Sequence, residues 1–246
     1  MNELSVAVIG AGVMGSGIAQ TLAIAGYETV CCDLAPEALA RAKVDVVSGR
    51  YGMESAIARG KLTRDAMQTA LTRLTWSDSL AMAAVSDLIV ECVPETLDLK
   101  IRVFRELDRV AKPTAILASN TSGFPIAALA AATSRPDRVV GWHWASPPPV
   151  MRLAEIVAAE RTSAATIETV VEVARSCGKN PIVVKDSAMA WGFVANRIYL
   201  AMVREAQRVV DEGVATREQV NELMVDAFRW PVGPFAMTAG ATSGWK

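Results

Sequence analysis

Residues 6–20 read Val-Ala-Val-Ile-Gly-Ala-Gly-Val-Met-Gly-Ser-Gly-Ile-Ala-Gln, and their reading decides the fold. Four apolar residues, Val6 to Ile9, run without polar alternation, as in a strand buried on both faces. Gly10, Gly12 and Gly15 follow in a GxGxxG spacing, and the chain then carries a helical pattern through Ile18, Ala19 and Leu22. This is a buried strand, a tight turn and a helix start. Gly10 lets the turn close, Gly12 removes a Cβ where a pyrophosphate would approach, and Gly15 lets the helix pack close to the strand. The helix start offers N–H groups and the positive end of its dipole to an anion. Gly10, Gly12, Val13, Met14 and Gly15 are therefore candidate cofactor ligands.

A lone GxGxxG is a weak signal, and the next strand strengthens it. Tyr27 to Cys32 reads as a second buried strand ending in Asp33, eighteen residues after Gly15. That spacing suits a carboxylate on the ribose hydroxyls of NAD. No Arg or Lys follows Asp33 directly, and a carboxylate there repels the extra phosphate of NADP. NAD is the expected cofactor.

The 246 residues permit one large domain or a medium domain with a small companion, and 52% of them are hydrophobic while only 6% are aromatic. Such small-residue core material suits an α/β protein. With 25 basic and 26 acidic residues the net charge is −1. No long-range field attracts nucleic acid or an anionic membrane, so neither partner is expected. Cys31, Cys32, Cys92 and Cys177 form no CxxC or metal-ligand spacing. They read as reduced core thiols of a cytoplasmic protein, and no metal is expected. No signal peptide precedes Val6 and no apolar run is long enough to cross a bilayer.

After Asp33, helical stretches from Pro36 to about Arg50 and from about Tyr51 to Arg59 precede a helix capped by Thr63. This inserted hairpin carries Lys43, Arg50, Arg59, Lys61 and Arg64, which the residues alone leave as an ordinary solvated face. Strands then recur at Leu88–Val93, Ala115–Ala118 and Arg138–Trp142, with helical patterns between them. The alternation predicts a Rossmann-type, doubly wound, mainly parallel sheet over residues 1–186. Pro147-Pro148-Pro149 turns the chain back through Arg152–Val157, and Pro181–Asp186 forms a last strand. Residues 187–246 read as a smaller all-helical domain. Its first helix is apolar nearly all round, which calls for a covering partner.

Polar residues gather at the strand ends: Glu95, Ser119 to Ser122, and His143, the only histidine. In such sheets ligands bind outside these ends. An imidazole there can take the hydroxyl proton as hydride leaves a carbinol carbon, and Glu155 on the returning strand can hold its other nitrogen. Read by itself, His143 is equally a structural residue beside two tryptophans.

Residues 10–19, 87–95, 119–122, 141–144 and 149–157, continued by Phe193–Arg197 and Pro231–Phe235, resemble the (3S)-3-hydroxyacyl-CoA dehydrogenases over almost the whole chain. The resemblance implies His143 as catalytic base, Glu155 as its orienting carboxylate, Ser122 on the reacting oxygen and Asn196 holding the substrate. It implies contacts to NAD from Glu95, Lys100 and Asn120, a coenzyme A nucleotide on the hairpin at Lys43 and Lys61, and a homodimer built on the helical domain. Three features depart from the family pattern. His143 is followed by Trp-Ala-Ser-Pro rather than Phe-Phe-Asn-Pro, so Ser146 stands where an amide meets the nicotinamide. The segment Ser187 to Trp191 is about three residues longer and lacks a proline, and the chain ends at Lys246, where family members continue, so the helical domain is short or incomplete. Related readings are a dehydrogenase of a free 3-hydroxy acid, as in gulonate and carnitine dehydrogenases, and a crystallin-like nucleotide-binding protein without turnover.

Overall fold

A computed structural model describes residues 4–187 and 191–243. Eight strands, β1 (Val6–Ile9), β2 (Thr29–Cys32), β3 (Leu74–Ser77), β4 (Leu88–Glu91), β5 (Ile116–Ser119), β6 (Val139–Trp144), β7 (Leu153–Ala158) and β8 (Asn180–Lys185), make one sheet. Its order is β3-β2-β1-β4-β5-β6-β7-β8. Every neighbouring pair is parallel except β6 and β7. The expected doubly wound sheet is therefore present. Chain order reverses between β1 and β4, and this is where such sheets open a crevice for a ligand.

The apolar runs explain the central strands, since β1, β2, β4 and β5 are buried at every position. Helices cover them: α1 (Val13–Ile24), α2 (Pro36–Ser48), α3 (Met53–Ala58), α4 (Arg64–Thr72), α5 (Leu97–Val110), α6 (Ile126–Ala130) and α7 (Ala164–Ser176). Ile18, Ala19 and Leu22 of α1 are wholly enclosed, and Phe104 and Leu107 of α5 likewise. Burying the Ile18, Leu22, Phe104 and Leu107 side chains stabilises by about 1.5–3 kcal/mol each. The Thr63 hydroxyl caps α4 by accepting from the Ala66 N–H at 3.1 Å, as its position before the helix implies.

Two differences from the sequence reading concern strands. β3 was not expected, and it adds an edge to β2. β6 continues through His143 and Trp144 instead of ending before the histidine.

The chain divides into two compact units, 1–189 and 190–246. The second holds α8 (Ala195–Asp211), α9 (Arg217–Phe228) and α10 (Pro234–Ser243). A capping box between Thr216 and Gln219 starts α9. Within α8 only Ala206 is buried, while Ile198 is 66% exposed. Of the expected longer segment at 187–191, residues 188–190 lie outside the described residues, as do 244–246 at the chain end. Among the described residues no helix is long and apolar enough to cross a membrane and no cluster of ligating side chains suits a metal. The four cysteines are free thiols.

Candidate active site

The turn after β1 is built for a close approach. Gly10 has φ +103°, and a Cβ there would lie 2.7 Å from the Cys92 carbonyl oxygen. A Cβ on Gly15 would lie 1.8 Å from the Gly10 oxygen. Both positions require glycine for packing. At Gly12 a Cβ would meet no protein atom within 4 Å, so the space in front of it is open. No side chain caps the N-terminus of α1, and its first turn carries no acidic residue. Open space before an uncapped helix start is what a pyrophosphate requires.

Asp33 closes this loop from β2. Its Oδ2 accepts the Ala11 N–H at 2.7 Å and its Oδ1 the Ala35 N–H at 2.9 Å. Each carboxylate oxygen retains a further lone pair for a ribose hydroxyl. Gly10, Gly12, Val13, Met14 and Asp33 line a groove of about 410 Å³ together with Glu95, Asn120 and Ser122. An adjoining recess of about 180 Å³, bounded by Ile9, Leu34, Leu80 and Leu99, offers the apolar walls a planar base needs. The residues present fit a dinucleotide.

Two expected cofactor residues stand elsewhere. Lys100 is fully buried in the first turn of α5, and its Nζ donates to Glu91 Oε1 at 2.8 Å, to the Val93 carbonyl at 3.2 Å and to Glu95 Oε2 at 3.0 Å. It does not line the groove, because these three acceptors take its ammonium inward. Ser146 is exposed in the turn after β6 and is likewise absent from the groove lining.

The antiparallel step between β6 and β7 brings His143 and Glu155 together. Register places His143 directly opposite Glu155, on the same face. His143 Nδ1 and Glu155 Oε2 are 2.7 Å apart, and the two residues are only 4% and 3% exposed. The Asn120 side-chain oxygen accepts the Trp144 N–H at 2.9 Å, tying the 119–122 motif to β6. Ser122 donates its backbone N–H to Glu95 Oε1 at 2.7 Å. Asn196 stands half-buried in the first turn of α8, in the second unit.

The hairpin basic residues do not all line one cavity. Lys61 and Arg59 line a cavity of about 660 Å³ with Tyr51 and Val150, whereas Lys43 is exposed on α2 and does not belong to that lining. Sequence reasoning also missed Gly17 and Lys179. A Cβ on Gly17 would lie 3.1 Å from the ring carbons of Pro148 and Pro149. Lys179 Nζ donates to the Pro148 and Met151 carbonyls at 2.5 and 2.8 Å. A second glycine in the turn of the helix start, and a lysine directly after a helix-ending glycine, were the only signals of this clamp.

Residues 5–187 match the sequence model of the 3-hydroxyacyl-CoA dehydrogenase NAD binding domain, and residues 192–245 that of the 3-hydroxyacyl-CoA dehydrogenase C-terminal domain. The chain belongs to the 3-hydroxyacyl-CoA dehydrogenase family. It is an NAD-dependent oxidoreductase acting on CH–OH, as the expectation from its residues had it. It is 39% identical over 241 residues to a probable 3-hydroxybutyryl-CoA dehydrogenase of Bacillus subtilis, a match that covers 96% of this chain and 80% of that one. It is 36% identical to the 3-hydroxyadipyl-CoA dehydrogenase of Escherichia coli, covering 97% of this chain and 49% of that protein. The crystal structure of (S)-3-hydroxybutyryl-CoA dehydrogenase from Ralstonia eutropha superposes with a TM-score of 0.89 at 37% identity, covering 95% of this chain and 80% of that one.

Proposed function

We propose that this enzyme of the 3-hydroxyacyl-CoA dehydrogenase family oxidises the 3-hydroxyl of a 3-hydroxyacyl-CoA to the ketone, with His143 as general base, and runs the reverse reduction with the same groups. One observation carries the reading: the sole histidine is buried against a carboxylate, 2.7 Å from its Nδ1, on a strand that ends beside the nucleotide groove. Glu155, by accepting Nδ1–H, selects the tautomer whose Nε2 takes the proton. NAD, held in that groove, supplies the hydride acceptor. As the hydroxyl proton reaches Nε2, the imidazolium forms against the Glu155 carboxylate, which stabilises its charge. A positioned base of this kind contributes roughly 10²–10⁴ in rate.

The remaining roles follow from the same reading. Ser122 hydrogen-bonds the reacting oxygen, Asn196 holds the substrate, and Glu95 and Asn120 face the nicotinamide end of the cofactor. Lys61, with Arg59 beside it, receives the anionic coenzyme A nucleotide. Ser146 offers a hydroxyl where the family pattern has an amide. The exposed apolar side chains of α8, among them Ile198 and Leu200, pair with a second copy in a homodimer, and the enzyme works in the cytoplasm.

Loss of NADH absorbance with acetoacetyl-CoA and, separately, with free 3-oxo acids tests the substrate. Turnover of the thioester is expected. Turnover of the free acids alone would overturn the coenzyme A assignment and leave Lys61 an incidental surface charge.

A further inference from the structure

Behind Glu95 lies a cluster of buried polar groups for which the reaction has no direct use. Glu91, at the end of β4, is wholly enclosed. Its Oε1 accepts from Lys100 Nζ and, at 2.7 Å, from the Val93 N–H, and its Oε2 accepts from the Ser119 hydroxyl at 2.6 Å. Lys100 has three N–H groups and three protein acceptors, Glu91, Val93 and Glu95. Of these acceptors Val93 and Glu95 line the groove, and Glu95 is the charged one. That carboxylate uses its other oxygen, Oε1, for the Thr121 hydroxyl at 2.5 Å and the Ser122 N–H at 2.7 Å. One unbroken chain of charge-assisted hydrogen bonds thus runs from the inside of the sheet to the backbone of Ser122.

We infer that Glu91 and Lys100 are positioning residues that act through Glu95 to fix the backbone carrying the Ser122 hydroxyl. The inference rests on the reading of Ser122 as the residue that binds the reacting oxygen. Charge explains why the cluster is built this way. Two carboxylates converge on one ammonium, and Glu91, wholly buried, depends on it for compensation of its charge. Glu91 is trapped among β4, β5 and α5, whereas the side chain of Glu95 is 33% exposed. Removal of the ammonium therefore leaves like charges facing each other, and Glu95 is the partner with room to swing away. Ser122 then loses the acceptor that fixes its N–H. A displacement of about 1 Å at a substrate-positioning group costs roughly 10² in rate.

The test compares kcat at saturating acetoacetyl-CoA and NADH for Lys100→Met, Ser122→Ala and the double variant. Each single change is expected to lower kcat, Lys100→Met by about 10²-fold, and the double variant is expected to turn over no more slowly than Ser122→Ala. Multiplying effects would overturn the inference, because Lys100 would then act on the cofactor directly or on the fold in general. Wild-type kcat in Lys100→Met, with Ser122→Ala impaired, would overturn it while leaving the role of Ser122 intact. Wild-type kcat in Ser122→Ala would overturn the Ser122 reading and the inference together. If Lys100→Met does not fold, Glu91→Gln/Lys100→Met replaces it, since the buried Glu91 charge is removed together with its partner while Glu95 still lacks the ammonium that anchors it. Its kcat is expected to stay below that of the parent and to fall no further when Ser122→Ala is added, and multiplication there would be equally fatal.

Discussion

Lys100 and Lys179 are both withdrawn from water, and their surroundings are opposite. Lys100 sits between the carboxylates of Glu91 and Glu95. Lys179 gives its N–H groups to two carbonyls of the 147–151 turn and lies 5.0 Å from the centre of the Trp144 ring. Burial alone lowers a lysine pKa. At Lys100 it is outweighed by Glu91 and then Glu95, which hold the ammonium above the ordinary value of 10.5. At Lys179 burial prevails and the pKa is lowered. The first lysine is a fixed charge bracing the cofactor side of the site. The second is a brace for the turn that joins β6, with His143, to β7, with Glu155. Gly17 supports that turn from the other direction by omitting a Cβ where the two prolines pack. A buried cation can thus serve a charged network or a backbone, and its neighbours decide which.

The largest difference in stability should come from deleting each lysine. Lys100→Met leaves a buried carboxylate without its partner, which costs about 3–5 kcal/mol. Glu91→Gln/Lys100→Met should recover much of that loss in urea unfolding, and an equal loss in both variants would show that charge is not what the pair contributes. Lys179→Met removes donors from two carbonyls, at about 1–3 kcal/mol per group left unsatisfied. A midpoint unchanged from the parent would mean that the turn holds itself.

A smaller effect separates the two lysines by pH. A lowered folded pKa at Lys179 means that the unfolded chain binds that proton more tightly. Its penalty is full below the lowered value and is relieved as pH rises from there towards 10.5. Relative to Lys179→Met, the parent should gain stability across that alkaline window. The raised pKa of Lys100 works the other way: its contribution is full below 10.5 and is lost as pH climbs through the higher folded value. Identical alkaline slopes for the parent and both lysine variants would contradict the contrast.

The sequence made the nucleotide half of the site legible because backbone geometry demands it. Only glycine fits at Gly10 and Gly15, and Asp33 follows an apolar strand at a fixed distance. The His143–Glu155 pair was legible in part, since the twelve-residue separation across a proline turn implied a strand running back. Its directness came from the antiparallel register, which no spacing alone specifies. β3 escaped because Leu74–Ser77 is a short edge strand in which only Leu74 is buried. Glu91 escaped because it looks like a single interruption in an apolar run. A carboxylate inside a buried strand needs a cation, and Lys100, nine residues on, was the available signal. The hairpin charges read as one group in the sequence, whereas the fold leaves Lys43 in solvent on α2 and places Lys61 in the loop after α3, at a cavity beside Arg59.

The most direct test of His143 as the proton-transfer group is kcat of His143→Ala with acetoacetyl-CoA, measured together with NADH affinity by fluorescence titration. The geometry predicts a loss of roughly 10²–10⁴ in kcat with NADH binding retained, because His143 belongs to the dyad and not to the groove lining. A His143→Ala enzyme that turns over as fast as its parent would contradict the mechanism.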